Sequence, residues 1–191
     1  VITGIRRCGK STLLQAFKQH LLSTGVAMEA IIFLNFEERE NARFTTWEDV
    51  YDHIIATLQH AEKRYVFLDE VQLVPHFEKL VDALYVKKDI DLYITGSNAY
   101  LLSSELSTLL SGRYIAINLH PFSFPEYVSA FPNENDRGRL FRQYMNGSCF
   151  PEAVTLSKVA PQHENMYLQS LYDTVVVKDI VQRNKLRKFD T

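Results

Sequence analysis

Cysteine is nearly absent from this chain. Cys8 and Cys149 are the two among 191 residues. That excludes a disulfide-stapled fold and makes a reducing, cytoplasmic setting the expectation. Charge of one sign is not in excess either. The formal net charge is −2, so no global field draws the protein to nucleic acid or to a membrane surface. No apolar run approaches the ~20 residues of a membrane-spanning helix, and no secretory signal is legible. Internal repeats and low-complexity tracts are lacking. What remains is ordinary globular composition, 46% hydrophobic and 23% charged, long enough for one good core and a small appendage. The chain also lacks a starting Met and opens three residues before Gly4. With the basic end Lys178–Lys188, this predicts that both ends are cut.

The richest segment is Gly4-Ile5-Arg6-Arg7-Cys8-Gly9-Lys10-Ser11-Thr12. It fits G-x-x-x-x-G-K-[ST] and lies between apolar Val1-Ile2 and a helical pattern of Leu13, Leu14, Phe17 and Leu21. A strand before and a helix after are the context a phosphate-binding loop requires. Glycines let the backbone curl so that N–H groups face an anion, and the helix adds its positive N-terminal end. Lys10 would reach the β- and γ-phosphates, and the Ser11 hydroxyl would ligate Mg²⁺. Binding of ATP with Mg²⁺ is the expectation. The plainer alternative is a chance glycine turn, and the remaining motifs weigh against it. Cys8 inside the loop reads as a small filler rather than a redox switch.

Apolar strand-like runs alternate with amphipathic helix patterns. The strands read Val1–Thr3, Ala30–Phe36, Tyr65–Leu68, Leu92–Thr95 and Tyr114–Leu119. Between them, Val50, Ile54 and Leu58 share one helical face. Phe77, Leu80, Val81 and Leu84 share another after Pro75, and Leu102, Leu106, Leu109 and Leu110 a third. This is the pattern of an α/β fold with a parallel sheet covered on both faces. The alternation stops at His120-Pro121-Phe122-Ser123-Phe124-Pro125. Beyond it the pattern is helix and loop, with helices over Leu140–Met145 and Asn165–Asn184. Two domains are expected, 1–120 as the core and 121–191 as a smaller helical part.

Tyr65-Val66-Phe67-Leu68 runs into Asp69-Glu70. An apolar run of this kind is a buried strand, and its C-terminal end is where open α/β sheets bind ligands. Asp69 is placed to hold the Mg²⁺ shell and Glu70 to polarise a water for attack on the γ-phosphate. Two solvated acids in a turn would be the ordinary alternative without the loop upstream. The pair suits hydrolysis by water. A small-molecule kinase would need an acceptor pocket and lid arginines, which the sequence does not display. In Thr95-Gly96-Ser97-Asn98, Ser97 or Asn98 could contact the attacking water or the γ-phosphate, or cap a helix. Asn35 ends the second strand, where it could contact Glu70; the residues favour a simple turn role.

The order Gly4–Ser11, Asp69-Glu70, Thr95-Gly96-Ser97-Asn98 resembles an AAA+-type ATPase. More narrowly, the run from Thr95 to Leu106, Leu110-Ser111-Gly112-Arg113, Pro121-Phe122-Ser123-Phe124-Pro125-Glu126-Tyr127 and Phe150-Pro151-Glu152-Ala153-Val154 are similar to prokaryotic predicted AAA+ ATPases. In these, the ATPase core is joined to a C-terminal domain of unknown function. The resemblance implies a P-loop NTPase of the ASCE type. Its parallel five-stranded sheet has order 5-1-4-3-2, followed by a small C-terminal helical lid. It makes Lys10 and Ser11 the loop ligands, Asp69 the Mg²⁺ partner and Glu70 the catalytic base. Ser97 or Asn98 falls at the first sensor position, and Asn35 where a polar residue restrains the catalytic Glu. Arg113 falls near the position of an arginine finger, which would act across a homo-oligomer; a pair with Glu105 is the alternative. Ser148-Cys149 stands where the family carries two glycines. Arg183, Lys185, Arg187 and Lys188 supply only charge toward nucleic acid, and a solvated helix end accounts for them as well. Mg²⁺-dependent ATP hydrolysis coupled to conformational change is the leading function. An ATP-bound switch or scaffold with little turnover is the alternative.

Overall fold

A computed structural model of the chain describes residues 1–59, 61–96 and 113–174. The expected leucine helix at 102–110, residues Ser97 and Asn98, and the basic end lie outside the described residues. Two compact units are resolved: residues 1–5 with 9–119, and residues 6–8 with 120 onward.

The first unit alternates strand and helix: β1 (Ile2–Gly4), α1 (Lys10–Ser23), β2 (Ile31–Asn35), α2 (Trp47–Thr57), β3 (Arg64–Asp69), α3 (Phe77–Tyr85), β4 (Ile90–Ile94) and β5 (Ile117–Leu119). All ladders are parallel, β1 with β5 and β2-β3-β4 in that order. One isolated parallel bridge, Ile2 to Thr95, joins the two sets. A continuous five-stranded ladder was the expectation, and hydrogen bonding instead divides the strands two and three. The reason is overlap. Ile2 opens β1, yet its partner Thr95 already lies one residue past the end of β4, so a single bridge is all the two strands share.

Period-two alternation builds both faces of the sheet. Ile32 and Leu34, Val66 and Leu68, and Ile94 point to one side, onto Val50, Ile54 and Leu58 of α2 and Leu80, Val81 and Leu84 of α3. Ile31 and Phe67 point to the other side, with Ile2, onto Leu14 and Leu21 of α1. Phe67 is fully buried, its ring 4.9 Å from Tyr93, 5.9 Å from Phe33 and 6.1 Å from Phe17. α2 starts on a reciprocal cap. Thr46 Oγ1 accepts from the Asp49 N–H at 3.2 Å, and the Asp49 carboxylate accepts from the Thr46 N–H at 3.1 Å. These bonds hold the Asp49 carboxyl below its ordinary value.

The second unit carries α4 (Phe124–Ser129), α5 (Arg137–Asn146), α6 (Pro151–Val159) and α7 (Glu164–Thr174). Tyr127, Leu140 and Val154 form its core, with Phe122, Phe124, Phe131 and Tyr144 packed around them. Ser123 and Glu126 form a second reciprocal cap at the start of α4. The Tyr144 hydroxyl donates to the Phe122 carbonyl at 3.1 Å, pinning the segment that enters the unit. Among the described residues, no helix is long and apolar enough to cross a membrane.

Candidate functional site

The loop after β1 turns the chain into α1 through left-handed backbone. Gly4 has φ 149° and Gly9 φ 102°, a region glycine enters without the penalty a Cβ brings. Gly9 is the N-cap of α1, and its carbonyl accepts from the Leu13 N–H at 2.9 Å. Arg7 takes φ 62° as well, and its guanidinium lies over the Tyr167 ring at 5.3 Å. Lys10 is buried, 5% exposed. Its Nζ donates to the carbonyls of Gly4 and Ile5, 3.2 Å each. A buried ammonium needs such partners, and here the loop's own backbone supplies them. Ser11 follows, half-buried in the first turn of α1, with Thr12 exposed. Cys8 is buried and forms no disulfide.

Asp69 closes β3. It is fully buried and lies in register with Asn35 of β2. Burying a carboxylate is costly unless it is satisfied. Asp69 Oδ1 accepts from the Thr95 hydroxyl. Asp69 Oδ2 has no partner among the described residues. Glu70 then turns the chain with φ 55° and ψ 45°, a left-handed conformation that costs an ordinary residue about 1 kcal/mol or more. Its N–H donates to Thr95 Oγ1 at 3.0 Å. Its carboxylate accepts from the Gln72 side-chain amide at 2.5 Å.

An orphaned buried carboxylate oxygen at the end of a central strand fits a divalent cation. Among the described residues, no cluster of three His, Cys, Asp or Glu could cage a metal alone. Mg²⁺ does not need one. It is held by one or two carboxylates with phosphate oxygens and water, and the Asp69 carboxylate and the Ser11 hydroxyl are groups that could serve it.

The other expected residues distribute as follows. Asn35 bonds within its own turn: Oδ1 accepts from the Glu37 N–H at 2.9 Å, and Nδ2 donates to the Glu38 carboxylate at 3.5 Å. The residue on the Glu70 carboxylate is Gln72. Arg113 precedes β5, 3.9 Å from the Asp82 carboxylate of α3 and half-exposed, with Tyr85 under its guanidinium at 5.9 Å. Glu105, the partner named in the alternative to the arginine finger, lies outside the described residues. Thr95 and Gln72 escaped the sequence reading. Gln72 stands two positions after Glu70, a spacing with no motif attached. Thr95 was read as the end of its strand, while Ser97 and Asn98 drew the functional argument.

A family model for the AAA domain matches residues 1–128. An uncharacterized protein of Haemophilus influenzae is 39% identical over 188 residues, covering 96% of this chain and 46% of that protein. Uncharacterized protein MJ1544 of Methanocaldococcus jannaschii is 26% identical over 199 residues, covering 98% of this chain and 43% of that protein. The chain spans less than half the length of these curated relatives. Among solved structures, the Walker-type ATPase PABY2304 of Pyrococcus abyssi matches with a TM-score of 0.54. The match covers 97% of this chain and 70% of that one at 13% identity, a likeness of fold. Since the family match takes in 128 of 191 residues, including the glycine loop and the acid turn, this chain belongs to the AAA domain family.

Proposed function

We propose that the protein binds ATP with Mg²⁺ and hydrolyses it, coupling turnover to a conformational change. One observation carries this reading. A phosphate-loop sequence leads into α1, while the acid turn after β3 leaves one buried Asp69 oxygen without a partner among the described residues and presents Glu70 beside it. Ser11 and Asp69 would hold Mg²⁺, which neutralises charge on the β- and γ-phosphates when bound. Lys10 would exchange its bonds to the Gly4 and Ile5 carbonyls for phosphate oxygens. Glu70 would orient the attacking water and accept its proton. Ser97 or Asn98 would contact that water or the γ-phosphate.

The same proposal takes the strands as one sheet of order 5-1-4-3-2, with the Ile2–Thr95 bridge as the seam between its two parts. It takes residues 1–120 as the ATPase core and 121–191 as a helical lid leading into a further domain. Arg113, half-exposed beside α3, would act as an arginine finger toward a second copy. Two cysteines outside any disulfide suit a cytoplasmic protein.

The test is turnover by the full-length protein with Mg²⁺ and with EDTA, for wild type and Glu70→Gln. The amide keeps the size of the side chain and cannot take a proton, so the variant should retain nucleotide and lose hydrolysis by about 10²-fold or more. Wild-type turnover by Glu70→Gln would remove Glu70 as the base.

A further inference from the structure

Thr95, one residue past β4, binds the acid turn through several hydrogen bonds. It is fully buried. Its N–H donates to the Leu68 carbonyl at 2.9 Å, and its carbonyl accepts from the Val71 N–H at 3.0 Å. Its hydroxyl accepts from the Glu70 N–H at 3.0 Å and donates to Asp69 Oδ1. The backbone of Thr95 also bridges to Ile2, two residues before the first loop glycine. Four bonds from one residue thus reach Leu68, Asp69, Glu70 and Val71, which span the end of β3 and the left-handed residue that follows.

Two of these bonds any residue could make, since they are backbone. The other two need a hydroxyl. A hydroxyl has one proton to give and lone pairs to receive with. Here the proton goes to Asp69 Oδ1 and a lone pair meets the Glu70 N–H. The first bond occupies one carboxylate oxygen and leaves Oδ2 without a partner among the described residues. The second stitches the amide of a residue at φ 55°, where strain persists only if the surroundings over-determine it.

We propose that Thr95 is a positioning residue for metal-assisted nucleotide chemistry. Its hydroxyl selects which oxygen of Asp69 faces the cation and holds Glu70 in its left-handed turn. The inference rests on the reading of this site as an ATP·Mg²⁺ site and adds to it a residue outside the phosphate loop, the acid pair and the Ser97-Asn98 step. A valine has nearly the same shape as threonine and lacks the hydroxyl, so Thr95→Val removes both bonds and keeps the strand. Thr95→Ser restores the hydroxyl and removes only a methyl group.

The experiment is Mn²⁺ binding by the full-length protein in the presence of a non-hydrolysable ATP analogue, followed by electron paramagnetic resonance. Nucleotide affinity in EDTA and amide hydrogen exchange are measured alongside. Loss of a residue that orients a metal ligand lowers metal affinity by about 10-fold or more. Thr95→Val should show that loss and fast exchange at Glu70, with nucleotide affinity in EDTA unchanged. Thr95→Ser should keep wild-type Mn²⁺ affinity and slow exchange. A merely structural role would lower stability without separating metal affinity from nucleotide affinity. Thr95→Val with wild-type Mn²⁺ affinity overturns the proposal. If Thr95→Val does not fold, wild-type exchange decides: the Glu70 amide must exchange as slowly as the Thr95 amide, and fast exchange overturns the proposal. If wild type binds the nucleotide analogue in neither condition, the ATP reading itself fails and this inference falls with it.

Discussion

Two strand ends in this molecule turn through left-handed backbone, and they do it by opposite means. At the end of β1 and in the loop beyond it Gly4, Arg7 and Gly9 take positive φ, and at the two glycines the conformation is written into the residue type. After β3 the residue is Glu70, whose Cβ opposes that conformation. It is held there from a distance by Thr95, 25 residues along the chain. The glycine turn is local and intrinsically permitted. The glutamate turn is tertiary and imposed. Strain of this kind concentrates where a side chain must be aimed, and the side chain aimed here is the proposed base.

Substitutions at the two turns should therefore move stability in opposite directions. Gly9→Ala places a Cβ at φ 102° and should destabilise the protein by about 1–2 kcal/mol. Because Gly9 caps α1, nucleotide affinity should fall as well. Thermal unfolding and nucleotide titration read both effects, and an unchanged melting temperature would mean that the loop relaxes to accept a side chain. Glu70→Gly should do the reverse. Relief of the left-handed glutamate should stabilise the fold by about 1 kcal/mol while hydrolysis is lost, although the bond from Gln72 goes too. Denaturant unfolding of the variant beside wild type measures this, and a destabilised Glu70→Gly would show that the turn is not strained. Arg113→Ala should have the smallest effect on folding. Its pair with Asp82 is 3.9 Å long and half-exposed, worth at most about 1 kcal/mol. Its proposed effect is on turnover between subunits. Mixing Arg113→Ala with Lys10→Ala should restore activity that neither has alone, and an inactive mixture would make Arg113 structural.

The same contrast explains what was legible in the sequence. Local rules carried far. The apolar run before Asp69 marked β3 as a buried strand, and the structure places Val66 and Leu68 on one face and Phe67 on the other. The glycine spacing marked the loop between β1 and α1. Helical spacing found Val50, Ile54 and Leu58 on one face of α2. The failures were of two kinds. Some were local signals that competed. The segment His120–Pro125 marked where the strand–helix alternation stops, but the helix starting inside it was not singled out: Pro125 sits in the first turn of α4, where proline is tolerated, and Ser123 with Glu126 caps that helix. The run Tyr114–Leu119 read as a strand, and three of its residues pair while Ile115 stays exposed. The other failures were long-range. No pattern within a window around Asp69 points to Thr95. Nor does local spacing place Gln72 on Glu70, whereas the turn role favoured for Asn35 is the one its bond to the Glu37 N–H displays. Hydroxyls that hold an acid in place are chosen by the sheet, and the sheet appears only when β3 and β4 are in register.

The central claim is that the glycine turn and the acid turn together form an ATP·Mg²⁺ site. Calorimetric titration of the full-length protein with ATP·Mg²⁺, wild type against Lys10→Ala, tests it most directly. Lys10 is the one buried ammonium of the loop, and its loss should weaken binding by about 100-fold, the equivalent of roughly 2–3 kcal/mol for charge-assisted hydrogen bonds. Equal affinity of the two proteins for ATP·Mg²⁺, or no binding by wild type, would contradict the account.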